Sequence, residues 1–192
     1  MKHIAFLVSG SGTNAENLIK RILAGEIPAV PVLVVSNKPG AKALEKAAVL
    51  GVKTIVIDHK SYADRAAFDK ALDECLEQHK IDLVVLAGFM RVLTPDFVRK
   101  YHGRLINIHP ALLPAFPGAH AIKDAWDAKV KETGATVHFV DSGVDTGPVV
   151  LQRKVPVLPN DTLDTLEARI HNAEYELYPE ALKLILSGKA KI

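Results

Sequence analysis

The chain has 192 residues, of which 48% are hydrophobic and 24% charged, and its net charge is +2. These values are typical of one globular domain with a sizeable core, so we expect a single domain over residues 1–192. The small charge and the scattered lysines and arginines argue against nucleic acid as a partner. The longest apolar runs are too short to span a membrane. A single cysteine, Cys75, excludes an internal disulfide and favours a reducing cytoplasm.

Strand-like and helix-like segments alternate through the first half of the chain. The pattern predicts strands at residues 3–8, 30–35, 52–57, 83–87 and 105–108, and helices at residues 14–23, 41–50, 61–79 and after Pro95. Ser61 is the expected N-cap of the third helix. The strands are apolar throughout, which is typical of parallel strands covered by helices on both faces. We therefore expect an α/β fold with a doubly wound, mostly parallel, Rossmann-like sheet.

The last third of the chain follows a different pattern. Residues 136–140 and 149–155 are predicted strands joined by a glycine-rich turn, which indicates a hairpin and an antiparallel strand toward the C-terminus. A final helix is expected to begin near Asp161. Pro179 lies within it and is expected to break or kink it.

A glycine-rich loop, SGSGTN at residues 9–14, lies directly between the first strand and the first helix. Gly10 and Gly12 allow the backbone to approach a ligand, and the helix N-terminus favours an anion, most simply a phosphate. The spacing also satisfies a dinucleotide-binding pattern, but that pattern requires an acid at the end of the second strand. Ser36 and Asn37 occupy that place, so a mononucleotide phosphate is favoured. A tight turn without a ligand is the remaining alternative.

Asn107 and His109 lie two residues apart at the end of the fifth strand. Residues at this spacing point to the same side of a strand, and Pro110 ends the strand directly after them. An amide donor beside a tunable proton carrier is typical of an acyl-transfer site. The alternative is a pair of structural polar residues. His120, at the start of a further predicted helix, either shapes the pocket or serves as a cap or surface residue.

A second candidate segment, AGFMRVLTP, follows the fourth strand at residues 87–95. Gly88 permits a sharp exit from the strand. Phe89, Met90 and Val92 either line an apolar slot for a flat ring, whose edge the backbone would read, or belong to the core. The segment by itself does not decide between these two interpretations.

A third candidate segment, DSGVDTGP, forms the turn of the predicted hairpin at residues 141–148. Asp141 is either functional or an ordinary turn residue. Asp145 lies between apolar and glycine residues, an unusual setting for a surface acid, so we expect it to be functional. The eight histidines form no metal-binding pattern, so no metal site is expected.

Taken together and in this order, the motifs resemble those of the folate-dependent formyltransferases that act on glycinamide ribonucleotide in purine synthesis. The motifs that carry the resemblance span nearly the whole chain: SGSGTN, SNK, VVLAGFMRVL, LINIHPALLPAFPG, GATVHFV, DTGPVVLQ and HNAEYELYP. The resemblance implies a cytoplasmic enzyme, a monomer or homodimer. It would transfer the formyl group of 10-formyltetrahydrofolate directly to the amine of glycinamide ribonucleotide. A formyltetrahydrofolate hydrolase, formyl transfer to another amine, a non-catalytic nucleotide-binding module and a dehydrogenase are the alternatives.

The resemblance also implies a role for individual residues. The catalytic residues would be Asn107, His109 and Asp145. The ribonucleotide would contact Gly12, Thr13, Asn14 and Glu174. The folate would contact Arg65, Met90, Arg91, Val92, Asn107, Val140, Asp141 and Val144.

Overall fold

The computed structural model describes residues 1–192 as seven strands and six α-helices arranged around one sheet. The strands are β1 (Lys2–Val8), β2 (Ala29–Ser36), β3 (Lys53–Val56), β4 (Leu83–Leu86), β5 (Leu105–His109), β6 (Glu132–Phe139) and β7 (Val149–Pro156). The helices are α1 (Thr13–Leu23), α2 (Lys42–Val49), α3 (Arg65–Gln78), α4 (Pro95–Lys100), α5 (Ala121–Asp127) and α6 (Leu163–Leu186). No helix combines the length and the apolar character that crossing a membrane would require.

The sheet has the strand order β3-β2-β1-β4-β5-β6-β7. The pairs from β3 to β5 are all parallel, whereas β6 pairs antiparallel with both β5 and β7. The doubly wound, mostly parallel sheet and its antiparallel strand toward the C-terminus are therefore confirmed. The strand order reverses direction between β1 and β4, which is where ligands bind in sheets of this type.

Each face of the sheet carries its own hydrophobic layer because neighbouring residues of a strand point to opposite sides. On one face, Phe6 of β1 packs with residues of α1, α2 and α6, including Leu18 and Leu177. On the other, Leu7 packs with residues of α3 and α4, including Phe68. The sheet is thus buried on both faces, as the continuously apolar strands predicted.

The third helix begins later than the sequence predicted. Ser61 ends a short 3-10 helix, and α3 begins at Arg65 with Asp64 as its N-cap. The Asp64 carboxylate accepts a hydrogen bond of 2.8 Å from the Ala67 backbone N–H. The prediction of Ser61 as the N-cap was wrong, because Asp64 offers an equally good cap immediately before the helix.

Helix α6 continues through Pro179, so of the predicted break or kink the break does not occur. Proline normally leaves the carbonyl four residues earlier without its helical donor. Here that carbonyl belongs to Tyr175, and it accepts a hydrogen bond of 2.8 Å from the Asn17 side-chain amide. A residue of α1 thus supplies the missing donor.

The hydroxyl of Tyr178 ties α6 to the middle of the sheet. The side chain is fully buried, and its hydroxyl donates a hydrogen bond of 2.8 Å to the Leu86 carbonyl at the end of β4. Burial also raises the pKa of this phenol well above its usual value, so it remains a neutral donor. The helix is therefore anchored beside the strand ends where the cavities described below open.

We predict that Tyr178→Phe lowers the free energy of unfolding by about 1–3 kcal/mol, because it leaves a buried carbonyl without this donor. Urea denaturation monitored by circular dichroism measures the change. Tyr175→Phe is the matched control, since Tyr175 is on the same helix but only partly buried. Equal stabilities for the two variants would contradict the assigned role of the Tyr178 hydroxyl.

Candidate active site

Two adjoining cavities open beyond the carboxyl ends of β1, β4 and β5. The first has a volume of about 400 Å³ and the second a volume of about 390 Å³. They have four lining residues in common: Gly88, Met90, Ile108 and Pro110. The short segments that follow β4 and β5 therefore form a shared wall between them.

The first cavity contains Asn107, His109 and Asp145, which the sequence singled out separately. Asn107 and His109 come from the end of β5, and Asp145 comes from the loop between β6 and β7. His109 Nδ1 lies 3.4 Å from Asp145 Oδ2, and its Nε2 lies 2.7 Å from the Phe116 carbonyl oxygen. The imidazole is thus held with an oxygen acceptor near each ring nitrogen.

His138 joins this group although the sequence analysis did not select it. It lies on β6 directly opposite Asn107, and only 2% of it is exposed. Its Nε2 lies 3.5 Å from Asn107 Nδ2 and 3.7 Å from Asp145 Oδ1. Its Nδ1 lies 2.9 Å from the Phe139 carbonyl oxygen. His138 could be found only from the pairing register of β6 with β5, which the sequence of β6 alone does not reveal.

The surroundings of Asp145 favour its ionised form. Burial by itself raises the pKa of this carboxyl group. The hydrogen bond to His138, the Gly118 backbone N–H at 2.8 Å and the nearby charges of His109 and His138 together outweigh burial, so the pKa lies below its usual range. The site therefore contains a carboxylate that stays charged under mildly acidic conditions.

The loop that carries Asp145 is held by its own side chains. Asp141 Oδ1 accepts hydrogen bonds from the Gly143 N–H at 3.0 Å and from the Thr146 hydroxyl at 2.6 Å. A Cβ at Gly143 would overlap Thr146, and one at Gly147 would overlap the Phe139 carbonyl. Asp141 is thus a turn-forming residue, as the sequence allowed, and it also lines the first cavity.

Most of the residues predicted to contact folate surround the first cavity. The lining includes Met90, Arg91, Val92, Asn107, Val140, Asp141 and Val144. Met90 is 65% exposed and Val92 is 54% exposed, so neither belongs to the core. Phe89 also lines the cavity, but its ring stacks on Phe68 of the core at 6.5 Å. Arg65 is exposed in the first turn of α3 and lies outside the cavity lining.

The glycine-rich loop forms one side of the second cavity. Gly12 has a positive φ of 64° and is the N-cap of α1. A Cβ at this position would overlap Ala43 of α2, so both the backbone conformation and the packing require glycine. Thr13 and Asn14 follow as the first helical residues, and all three line the cavity together with Lys38.

Glu174 of α6 lies beside this loop in the lining of the second cavity. The residue is 3% exposed, and its carboxylate accepts a hydrogen bond of 3.1 Å from Asn14 Nδ2. The oxygen of the same Asn14 amide is buried without a partner in the protein. A buried acceptor and a buried carboxylate in one cavity are suited to a ligand that presents hydroxyl groups.

His171 is a second residue of the site that the sequence analysis missed. It lines the second cavity, and its Nδ1 lies 2.8 Å from Glu174 Oε2. The hydrogen bond to Glu174 raises the pKa of the imidazole, and burial reduces the effect only in part. The sequence does contain a signal for His171, because it lies three residues before Glu174 and residues at this spacing share one face of a helix.

Side-chain contacts tie the end of β2 to the shared wall between the cavities. The Ser9 hydroxyl donates to Asn37 Oδ1 at 2.5 Å and accepts from the Met90 N–H at 2.8 Å. Both Ser9 and Asn37 are buried. Asn37, directly after β2, therefore helps to hold Met90 in the shared wall through Ser9.

We predict that His138→Leu raises the pKa of Asp145, because it removes both the hydrogen bond and the nearby charge of His138. A carbon-13 NMR titration of the labelled Asp145 carboxyl measures the pKa. His138→Gln is the matched comparison: its amide can still donate to Asp145 but carries no charge, so the pKa should rise less than in His138→Leu. An unchanged pKa in His138→Leu would contradict this account of the carboxylate.

The same lowered pKa predicts a direction for stability. A carboxyl whose pKa is lower in the folded state stabilises the fold above its unfolded-state pKa, and this contribution is lost as the pH falls through the folded-state value. Asp145→Asn should therefore flatten the acid limb of the unfolding free energy measured by urea denaturation against pH. A limb identical to that of the wild type would contradict the expected contribution.

Comparison with known proteins places the chain in a family. The family model described as formyl transferase matches residues 2–182. The phosphoribosylglycinamide formyltransferase of Bacillus subtilis (strain 168) is 42% identical over 97% of this chain and 95% of its own length. The trifunctional purine biosynthetic protein adenosine-3 of Drosophila melanogaster is 49% identical over 100% of this chain, which spans 14% of that larger protein.

The fold gives the same result. The crystal structure of glycinamide ribonucleotide transformylase 1 from Symbiobacterium toebii superposes with a TM-score of 0.95 and 44% identity, covering 98% of this chain and 89% of that chain. Sequence and structure agree over nearly the whole length. The chain therefore belongs to the formyl transferase family.

Proposed function

We propose that this chain transfers the formyl group of 10-formyltetrahydrofolate to the amine of glycinamide ribonucleotide in purine synthesis. The observation that carries the proposal is the pair of adjoining cavities with a shared wall, one of them containing Asn107, His109 and Asp145. Two such cavities hold a donor and an acceptor side by side at the catalytic group. Holding both reactants in this way supplies much of the rate acceleration.

The second cavity is the proposed site of the ribonucleotide. The backbone N–H groups of Gly12, Thr13 and Asn14 lie at the N-terminus of α1, where the partial positive charge of the helix favours a phosphate. The buried Glu174 carboxylate is suited to accept hydrogen bonds from ribose hydroxyls. The phosphate and the ribose are then held at opposite sides of the cavity, and the amine extends toward the shared wall.

The first cavity is the proposed site of the folate. Met90 and Val92 on one side, and Val140 and Val144 on the other, offer apolar surface to a flat ring system. Backbone N–H and C=O groups of the segment after β4 are available to form hydrogen bonds with the polar edge of the ring. Arg65 lies outside the cavity, so it can contact only the part of the folate that extends beyond it.

The proposed reaction is direct. The substrate amine attacks the formyl carbon, and negative charge develops on the formyl oxygen. Asn107 Nδ2 and His109 donate hydrogen bonds to that oxygen, where they act most strongly because the charge is developing. His109 Nε2 exchanges its contact with the Phe116 carbonyl for the formyl oxygen at this stage.

Asp145 completes the proposed mechanism. Its carboxylate lies 3.4 Å from His109 Nδ1 and orients the imidazole during the reaction. It also accepts or relays the proton released by the attacking amine, directly or through water. Protonation of the folate nitrogen then lets it leave, and no covalent intermediate with the protein is required.

We further propose that residues 1–192 act as a single formyltransferase domain in the cytoplasm. We expect the protein to act as a monomer or a homodimer. The single, partly buried Cys75 is compatible with a reducing compartment.

The decisive experiment measures turnover of 10-formyltetrahydrofolate with and without glycinamide ribonucleotide. We expect deformylation only when the ribonucleotide is present, with formylated ribonucleotide recovered as product. Deformylation in its absence would indicate the hydrolase. Turnover with other amines alone would indicate a different acceptor, and binding without any turnover would indicate a nucleotide-binding module.

We predict that Asn107→Ala and His109→Ala each lower kcat by about 10²- to 10³-fold, since each removes a donor to the developing negative charge. The KM values should change little. His120→Ala is the control, because His120 is exposed at the N-cap of α5 and does not line either cavity. Wild-type kcat in both active-site variants would overturn the mechanism.

We predict that Gly12→Ala raises the KM for the ribonucleotide by about 10-fold or more, because a displaced loop loses phosphate hydrogen bonds. The KM for the folate should stay within about twofold of wild type by the same reasoning. Gly25→Ala is the matched control: Gly25 also has a positive φ, but it has open space around it and lies outside both cavities. An increase confined to the folate KM would mean that the two cavities are assigned the wrong way round.

A further inference from the structure

Pro179 leaves one backbone carbonyl of α6 without its helical hydrogen bond. The residue four positions earlier is Tyr175, whose carbonyl would otherwise accept from the N–H at position 179. In the structure this carbonyl accepts a hydrogen bond of 2.8 Å from Asn17 Nδ2 instead. The helix runs on without a break to Leu186.

The Asn17 contact is one of three polar contacts that join α1 to α6. Asn14 donates to Glu174 Oε2 at 3.1 Å, one turn before Asn17 on the same helix. On the following turn, Arg21 donates to Glu176 Oε1 at 2.7 Å. Three successive turns of α1 thus contact three consecutive residues of α6.

The three contacts differ in how well they define position. The Arg21–Glu176 pair is exposed and joins two long flexible side chains, so it constrains the helices weakly. The Asn17 contact ends on a backbone atom, which has no rotamers of its own. It therefore fixes the backbone of Tyr175, and through it the adjacent Glu174, relative to α1.

We propose that Asn17 is a positioning residue for the acceptor site, acting through the carbonyl that Pro179 leaves free. It sets the position of α6 along its axis relative to α1, so that the Glu174 carboxylate reaches Asn14 and the second cavity. The inference rests on the proposed function only in assigning that cavity to the ribonucleotide. The geometric part, in which Asn17 and Pro179 together position Glu174, stands independently of the substrate.

The residue at position 179 should determine whether a substitution of Asn17 has an effect. In Pro179→Ala, the backbone N–H of residue 179 becomes available to the Tyr175 carbonyl, as in an ordinary helix. The Asn17 amide is then no longer the only donor. A substitution at position 17 should therefore have an effect in the wild-type background and little effect in the Pro179→Ala background.

The test is a double-mutant cycle of Asn17→Ala and Pro179→Ala, with steady-state kinetics for both substrates. We expect Asn17→Ala alone to raise the ribonucleotide KM by about 3- to 10-fold, the range that one hydrogen bond supports, with kcat and the folate KM within about twofold of wild type. In the Pro179→Ala background the same change should raise the ribonucleotide KM by less than about twofold. Glu16→Ala, at a neighbouring position of α1 that does not line the second cavity, is the control for the helix surface.

A second measurement separates failure of this inference from failure of the proposed function. The side-chain amide resonance of Asn14 reports its hydrogen bond to Glu174 and needs no substrate. We expect this resonance to shift in Asn17→Ala and to return toward the wild-type position in the double variant. Absence of turnover by the wild type would count against the proposed function and leave this readout intact.

Three results would overturn the inference. The first is an equal effect of Asn17→Ala in both backgrounds, which would mean that Asn17 does not act through the Tyr175 carbonyl. The second is an unchanged Asn14 resonance in Asn17→Ala, which would mean that Glu174 holds its place without Asn17. A loss of stability in urea denaturation with no change in the ribonucleotide KM would likewise reduce Asn17 to a structural role.

Discussion

The pairing of the partly buried Asp145 carboxylate with its neighbours is the interaction on which the arrangement of the candidate active site depends. A buried charge is unfavourable unless it is paired and hydrogen-bonded. Asp145 meets this requirement with the Gly118 N–H and with the imidazoles of His109 and His138. These partners come from a loop and from two different strands, so satisfying one carboxylate draws three separate segments of the chain together around the first cavity.

The antiparallel placement of β6 makes this possible. A further parallel strand beside β5 would end at the same edge and would need a long crossover connection. Strand β6 instead runs past Asn107 in the opposite direction, which places His138 beside Asn107, and it ends next to Leu105 at the start of β5. The loop that follows folds back, so that Asp145 reaches His109 at the other end of β5.

Helix α6 connects the second cavity to the same framework. Tyr178 holds it to the end of β4, and Glu174, one turn earlier, faces the glycine-rich loop. The first cavity is therefore built in part on the hairpin loop and the second in part on a helix, and both rest on the ends of β4 and β5. This common support explains how two cavities of different chemical character share a wall.

The sequence predicted those features that depend on residues close together in the chain. Buried strands, their alternation with helices, the hairpin and the glycine-rich loop before α1 all follow from local pattern, and all are present. Local reasoning failed where two signals of similar strength competed, as with Ser61 and Asp64 at the start of α3. It could not foresee that the helix continues through Pro179, because the missing helical donor is replaced by Asn17, which lies far away in sequence.

Tertiary structure decided which distant groups face one another. The sequence by itself determined the fold class, paired Asn107 with His109 and offered Asp145 as a separate candidate. Only the register between β5 and β6 added His138, and only the packing of α6 placed Glu174 and His171 beside the glycine-rich loop. The physical reason is that hydrogen bonds and charge interactions act over a few ångströms in space, whatever the number of residues between their partners.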